Sequence, residues 1–319
     1  IMINYSIKFN GIDELKNCFH FSQNSKINRK IILRVYNSYL NYKEYEEKLE
    51  LIPNVNYWTY VPSNNNNRYV EFRDEDTLEI VGLFGLDGVH DIEDEDNFKY
   101  VKTIFNDLKP GEKHNVYVVF NEITTLKTYN NDYISVEEND LVVDIGFNYG
   151  LFSMTSLKYK PSKIIAFEPN PNLVKTFKSF FKETIIELHQ KAVSNKNGTT
   201  IFYENLDPGM SSIFQEINNV TQGDSYNVEI INFNDFIIDN EINNIDYLKV
   251  DCEGSEYGIF ESIPTEYLKN NIKKVAIEFH HRLEDIKVQT LLEKLKDCNF
   301  KIKIVYEENS NIGLIYGKK

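Results

Sequence analysis

From Asn121 to the C-terminus, short apolar runs alternate with segments whose apolar residues recur every three or four positions. Leu141 to Ile145 and Lys163 to Phe167 read as buried strands, Leu151 to Lys160 as a helix between them. A second helix is predicted over Asn172 to Phe181, with Leu173, Val174, Phe177 and Phe181 on one face, and a strand over Ile185 to His189. A hairpin is expected at Thr199 to Phe202, leaving through Asp207-Pro208-Gly209, and Val228 to Ile231 then leads to a short helix from Asp235. Tyr247 to Val250 and Val275 to Phe279 are the next strands, followed by a helix over Asp285 to Asp297 that carries Ile286, Val288, Leu291, Leu292 and Leu295. Phe300 to Tyr306 and Gly313 to Tyr316, joined by a polar turn, form a closing hairpin. Strands alternating with helices imply an α/β fold with a mostly parallel sheet, here ending in an antiparallel hairpin.

Before Asn121 the pattern changes. Ile31 to Tyr36, Asn56 to Val61, Tyr69 to Phe72, Leu78 to Phe84 and Asn115 to Phe120 are β-rich runs between turn-forming Asn, Asp, Gly and Pro. Helical spacing is expected over Tyr42 to Leu51 and over Asn97 to Leu108, where Phe98, Val101, Ile104, Phe105 and Leu108 recur. The expectation is a small β-rich accessory domain over 1–120 and an α/β domain over 121–319. The first could hold a glycan, dock a neighbouring domain or cover a sheet edge. Tyr57, Trp58 and Tyr60 could stack on a sugar, although aromatics on strands more commonly pack a core.

The chemistry concentrates where the strands end. Asp144-x-Gly146-x-x-x-Gly150 follows the first strand, and about twenty residues on, Glu168 stands at the carboxyl end of the second, ahead of Pro169 and Pro171. In open α/β sheets ligands lie beyond the carboxyl ends of parallel strands, and glycine lets them approach the backbone. An acidic residue at the second strand's end can accept hydrogen bonds from ribose hydroxyls. The G-x-G-x-x-G of dinucleotide sites is missing, and an acid precedes the first glycine. That combination suits a cationic, phosphate-free ligand such as S-adenosylmethionine, and makes an oxidoreductase the weaker alternative. Two further strands end in Asp251-Cys252-Glu253-Gly254-Ser255-Glu256 and in Glu278-Phe279-His280-His281, so acids and histidine are expected on one rim.

With these motifs the chain resembles the FkbM-type, S-adenosylmethionine-dependent methyltransferases of the class I (Rossmann-like) fold. The resemblance rests on Val143 to Gly150, Ala166 to Pro171, Ala192-Val193-Ser194, Ser211-Ser212 and Tyr247 to Glu256, and spans roughly Asn121 to the C-terminus. It implies O-methylation of hydroxyl groups on sugars, polyketides and other natural products, and a sugar in a glycan or glycoconjugate is the expected acceptor. It also implies that the adenine ring sits beside Ala192 and Val193, which as small apolar residues could equally be core. Phe147 stands where that family usually has alanine, which predicts a bulkier first loop. If that loop were blocked, the chain would be a degenerate module that binds a glycan or assembles with a partner.

Each site residue carries a stated role. Asp144 orients the loop and offsets sulfonium charge, or only caps the loop. Asn148 is expected to hold the turn, Gly146 and Gly150 to shape it, and Glu168 to bind ribose rather than stand as an exposed strand-end acid. Methyl transfer to a hydroxyl needs an aligned oxygen and a nearby base, for which Asp251, Glu253, Glu256, Glu278 and His280 are candidates. His280 is expected to be the base, preferred over His281, because an imidazole titrates near ~6.5, or else a satisfied strand-end histidine, and Asp251 is expected to face both the cofactor's transferred methyl and the acceptor hydroxyl. Asp251, Glu278 and His280 would also accept a divalent cation that acidifies the acceptor, though such acid clusters also occur without metal.

Charge and composition narrow the partners. A net charge of −14 disfavours a nucleic-acid backbone. No run of about eighteen apolar residues predicts a membrane span. Ile1-Met2-Ile3-Asn4 does not read as a secretory signal, and isoleucine before methionine suggests a piece of a longer chain. Cys18, Cys252 and Cys298 are too scattered for a disulfide framework or zinc site and fit a reducing, cytoplasmic setting. The oligomeric state is not legible.

Overall fold

A computed structural model describes residues 5–13, 16–23, 29–37, 43–51, 57–62, 67–75, 80–85, 116, 119–120, 122–123, 127–180, 184–204, 211–213, 224–306 and 310–319. The chain divides into two compact units, Ile1–Asn121 and Glu122–Lys319.

In the first unit the described strands are β1 (Tyr5–Asp13), β2 (Lys16–Gln23), β3 (Arg29–Asn37), β4 (Lys43–Leu51), β5 (Tyr57–Pro62), β6 (Asn67–Asp74) and β7 (Ile80–Gly85). They form two antiparallel sheets, in the orders β1-β2-β5 and β4-β3-β6-β7. Two expectations are corrected. Of the segment expected as a helix, Lys43–Leu51 is strand β4, paired residue by residue from Arg29↔Leu51 to Val35↔Tyr45. Its Lys and Glu residues favour a helix locally, but pairing along β3 overrides that weak propensity, and a charged strand suits the edge position it occupies. Asn115 to Phe120 was expected as a strand; its described positions are helical, and Val116, Phe120 and Ile123 are buried at spacings of four and three. The helix expected over Asn97 to Leu108 and the exit at Asp207-Pro208-Gly209 lie outside the described residues.

The second unit is built on β8 (Leu141–Ile145), β9 (Lys163–Phe167), β10 (Ile186–His189), β14 (Ile245–Val250), β15 (Ile272–Phe279), β16 (Lys301–Tyr306) and β17 (Gly313–Lys318). Among the described residues these seven strands join in the order β10-β9-β8-β14-β15-β17-β16. The pairs from β10 to β15 are parallel, and β17 runs antiparallel to both its neighbours. A smaller sheet, β11-β13-β12, holds β11 (Ala192–Ser194), β12 (Gly198–Tyr203) and β13 (Ser225–Asn232). The connecting helices are α1 (Leu151–Ser156), α2 (Pro171–Phe180), α3 (Phe233–Asp239), α4 (Glu256–Ser262), α5 (Thr265–Asn271) and α6 (Ile286–Asp297).

This is the class I methyltransferase fold, a mostly parallel sheet closed by an antiparallel hairpin. One face of its central strands is continuously apolar: Val143, Ile145, Ile165, Phe167, Leu248, Val250, Ile277 and Phe279 all belong to one core with Val288, Leu291, Leu292 and Leu295 of α6. Asp285 starts α6 by accepting the Lys287 N–H at 2.8 Å. Helices α4 and α5, seven residues each, escaped the sequence pattern because so short a helix shows too few turns for a period to emerge.

A segment ahead of β8 is strapped across the sheet. Tyr316 donates from its hydroxyl to the Thr128 carbonyl at 2.8 Å, Lys318 Nζ to the Tyr133 carbonyl at 3.0 Å, and the Tyr247 hydroxyl to the Tyr129 carbonyl. Tyr129 is thereby fixed over the carboxyl ends of β14 and β15.

Candidate active site

The parallel register brings the rim together. Asp144 on β8 lies opposite Lys249 on β14, and Ile145 opposite Val250, so both strands end at one level. The glycine turn then leans on both neighbours: the N–H groups of Gly146 and Phe147 donate to the Phe167 carbonyl, and the Asp251 N–H donates to the Ile145 carbonyl at 3.0 Å. Gly146 adopts φ +84°, and a Cβ there would sit 1.6 Å from the Asp251 carbonyl oxygen. Only glycine permits that approach.

Gly150, at φ +77°, covers the Phe147 ring, which a Cβ would meet at 2.3 Å. Phe147 itself is 3% exposed and edge-on to Phe177 of α2, ring centroids 4.8 Å apart. The bulky residue therefore fills the packing layer beneath the turn, and the expectation of a bulkier, obstructed loop is corrected.

Asp144 is fully buried, with Oδ2 accepting the Ser153 hydroxyl at 2.7 Å and Oδ1 3.2 Å from Lys249 Nζ. Burial pushes its carboxyl up, against the pull of Lys249. Lys249, which the sequence reading passed over, also donates to the Gly146 carbonyl at 2.5 Å and lies 3.5 Å from Asp251 Oδ2 and over the Tyr129 ring. Burial works to lower its ammonium, but Asp144 and Asp251 outweigh it and the net shift is upward. A cation thus staples the glycine turn to β14.

Glu168, 5% exposed, accepts the Asn148 N–H on Oε2 at 2.7 Å and the Asn170 N–H on Oε1 at 2.8 Å. Burial dominates and pushes its carboxyl up to about 7, the two N–H groups opposing. Each oxygen retains capacity for a further donor. Asn148, in the left-handed region at φ 52°, carries a buried Oδ1 with no hydrogen-bond partner. The side chains of Ala192 and Val193 are buried in the packing around β11.

Beyond Asp251 the chain turns through Glu253 (φ 51°) and Gly254 (φ 102°), and this turn is held from two sides. The Ser212 hydroxyl donates to the Glu253 carbonyl at 2.7 Å, giving one of the paired serines a defined task, and Glu256 Oε2 accepts the Gly254 N–H at 2.8 Å. Fully buried Glu256 also uses Oε1 to accept the His280 N–H at 2.9 Å and to face His280 Nδ1 at 3.2 Å. It orients the cluster rather than lining it.

Asp251, Glu253, Glu278 and His280 meet at the rim, each with a ligand atom within 4.8 Å of those of the others. His280 Nε2 lies 3.2 Å from Glu253 Oε2 and 3.4 Å from Glu278 Oε1. The Tyr129 hydroxyl, also unforeseen, reaches Asp251 Oδ2 at 2.9 Å and Glu278 Oε2 at 3.2 Å. Burial pulls the imidazole's proton affinity down, yet the partners Glu253, Glu256 and Glu278 raise it well above the ordinary histidine range. Burial likewise pushes Glu253 up to about 7 and raises Glu278. Glu256 on Nδ1 and the carboxylates of Glu253 and Glu278 near Nε2 hold the ring in place.

A strand-end glycine turn, an acid on the second strand and an acid cluster across the switch point define a methyltransferase domain of class I. The chain belongs to the family described as methyltransferase FkbM domain, whose family model matches residues 139–302. Methyltransferase 1 of Beauveria bassiana is 27% identical over 209 residues, which cover 58% of this chain and 82% of that protein. The solved structure of methyltransferase FkbM from Methylobacillus flagellatus is 16% identical with a TM-score of 0.42, over 69% of this chain and 58% of that one, so the chain spans little more than half that relative's length. An rRNA methylase from Streptococcus thermophilus is 13% identical with a TM-score of 0.34, over 58% of this chain and 89% of that one. Among the described residues no helix is long and apolar enough to cross a membrane.

Proposed function

We propose that the protein transfers a methyl group from S-adenosylmethionine to a hydroxyl of a sugar in a glycan or glycoconjugate. The observation that carries this reading is the shared backbone contact of Gly146 with Asp251, which sets a cofactor-type turn directly against an acid cluster. Family membership supports the donor. The residues also fit it: the buried, unpartnered Asn148 Oδ1 and the remaining acceptor capacity of Glu168 offer acceptors for adenosine hydroxyls. When bound, the donor supplies a methyl group on a positively charged sulfur.

The chain's own residues would do the rest. Six carboxyl groups (Asp144, Glu168, Asp251, Glu253, Glu256 and Glu278) stand against one lysine and one imidazole, Lys249 and His280, so the rim favours a cationic donor and disfavours a phosphate backbone. Asp251, the most open of the cluster at 27% side-chain exposure, takes the hydroxyl proton as the oxygen–methyl bond forms and the sulfur–methyl bond breaks. Glu253 and Glu278 accept hydrogen bonds from neighbouring hydroxyls. Next to them a cleft of about 780 Å³ is lined by His280, His281, Arg282, Asp285 and Tyr306 among others, polar groups beside an aromatic ring that suit a polyhydroxylated acceptor. The β-rich unit before Glu122 is proposed as an accessory to this domain.

Calorimetric titration with S-adenosylmethionine, S-adenosylhomocysteine and NAD tests the donor, and sugar acceptors are then assayed by mass gain of one methyl group. Both adenosyl ligands should bind and NAD should not; Glu168→Ala should weaken the adenosyl ligands by roughly tenfold or more. Binding of none of the three would sink the reading.

A further inference from the structure

We propose that Asp251, Glu253, Glu278 and His280 form a divalent-cation site of the Mg²⁺ or Mn²⁺ class. Ligand atoms at about 2.1 Å from a small cation are at most about 4.2 Å apart. The four groups here hold theirs within 4.8 Å of one another, about 0.6 Å beyond that limit, so modest side-chain shifts would close them round a cation.

Acid clusters are common without metal, and the imidazole distinguishes this one. The side chain of His280 is 6% exposed, its Nδ1 side is tied to Glu256, and its Nε2 is aimed into the cluster with no hydrogen-bond partner. The flanking carboxylates are near enough for ion pairing but out of line for a hydrogen bond from that nitrogen. A buried ring nitrogen pointed between three carboxylates is arranged as a ligand.

The outer partners agree. Glu256 fixes the ring through Nδ1, the carboxylate–histidine pairing that orients metal ligands. The Tyr129 hydroxyl braces both Asp251 and Glu278 although its single hydrogen can serve only one at a time. Ser212 anchors the Glu253 backbone. Three carboxyl groups crowded this closely repel one another unless protons or a cation intervene. Three carboxylates with one imidazole suit Mn²⁺ and Mg²⁺ better than a thiolate-seeking metal, and partial exposure of Asp251, Glu253 and Glu278 leaves room for further ligands. There the cation would bind two neighbouring hydroxyls of the acceptor and acidify the one to be methylated; this catalytic role rests on the function proposed above, the binding site does not.

The test is titration of the purified full chain with Mn²⁺ alone, followed by electron paramagnetic resonance, with adenosyl-ligand calorimetry in parallel. One saturable Mn²⁺ per chain is expected, competed by Mg²⁺, with nitrogen modulation from one coordinated imidazole. Asp251→Asn and Glu278→Gln should each weaken it at least tenfold, while Glu187→Gln, at an exposed carboxylate paired with Lys163, leaves it unchanged. No saturable binding, no nitrogen coupling in the wild type, or equal binding by Asp251→Asn and Glu278→Gln would overturn the site. Adenosyl ligand binding without Mn²⁺ would discard the metal and keep methyl transfer; Mn²⁺ binding without adenosyl ligands would do the reverse.

Discussion

At the scale of single residues, buried charge sets the behaviour of this domain. Glu168 titrates near 4.5 when unfolded and at about 7 when folded, so the native state binds the extra proton between those values. Stability from this group is fully present below 4.5 and is lost as pH rises through 7, a loss of about 3 kcal/mol for a shift of this size. Glu168→Gln should flatten the difference in urea midpoint between about pH 5 and about pH 8; an unchanged pH dependence would refute the buried-acid account. Lys249 presents the complementary case. Lys249→Met strands buried Asp144 beside Asp251 and should cost about 3–5 kcal/mol in denaturant unfolding, and adding Asp144→Asn should recover part of it. A double variant no more stable than the single one would show that the pair is not coupled.

At the scale of elements, the site depends on how closely strand ends approach. Gly146 and Gly198 both have a φ that side chains rarely adopt, but Gly146→Ala also places a methyl 1.6 Å from the Asp251 carbonyl, whereas Gly198→Ala meets nothing nearer than 4.0 Å. Thermal melts should show Gly146→Ala losing several times more stability than Gly198→Ala, and equal losses would mean that the turn and β14 separate freely. The glycine turn, Glu168 and the two acid-bearing strand ends were legible because the motifs sit where apolar strands stop. Strand β4 was misread because its Lys and Glu residues mimic a helix, and α4 and α5 were too short to show a period. Phe147 was read as an obstruction because a sequence does not say toward which layer a ring turns.

At the scale of the molecule, the core that shapes the site lies within the second unit, from Leu141 to Ile315. Residues 122–319 produced alone should therefore fold cooperatively, with mixed α/β circular dichroism and a single melting transition; a molten chain would show that the preceding unit is required. The sequence by itself determined the alternation of strands and helices, the family and the clustering of chemistry at strand ends, since these follow from local periodicity and from motifs contiguous in the chain. Only the tertiary structure decided that Tyr129 reaches Asp251 and Glu278, that Lys249 is held between Asp144 and Asp251, that Ser212 anchors Glu253, and that His280 is surrounded by three glutamates. Those roles depend on burial and on neighbours up to 149 residues apart, and burial and proximity are set by packing, which no local pattern records.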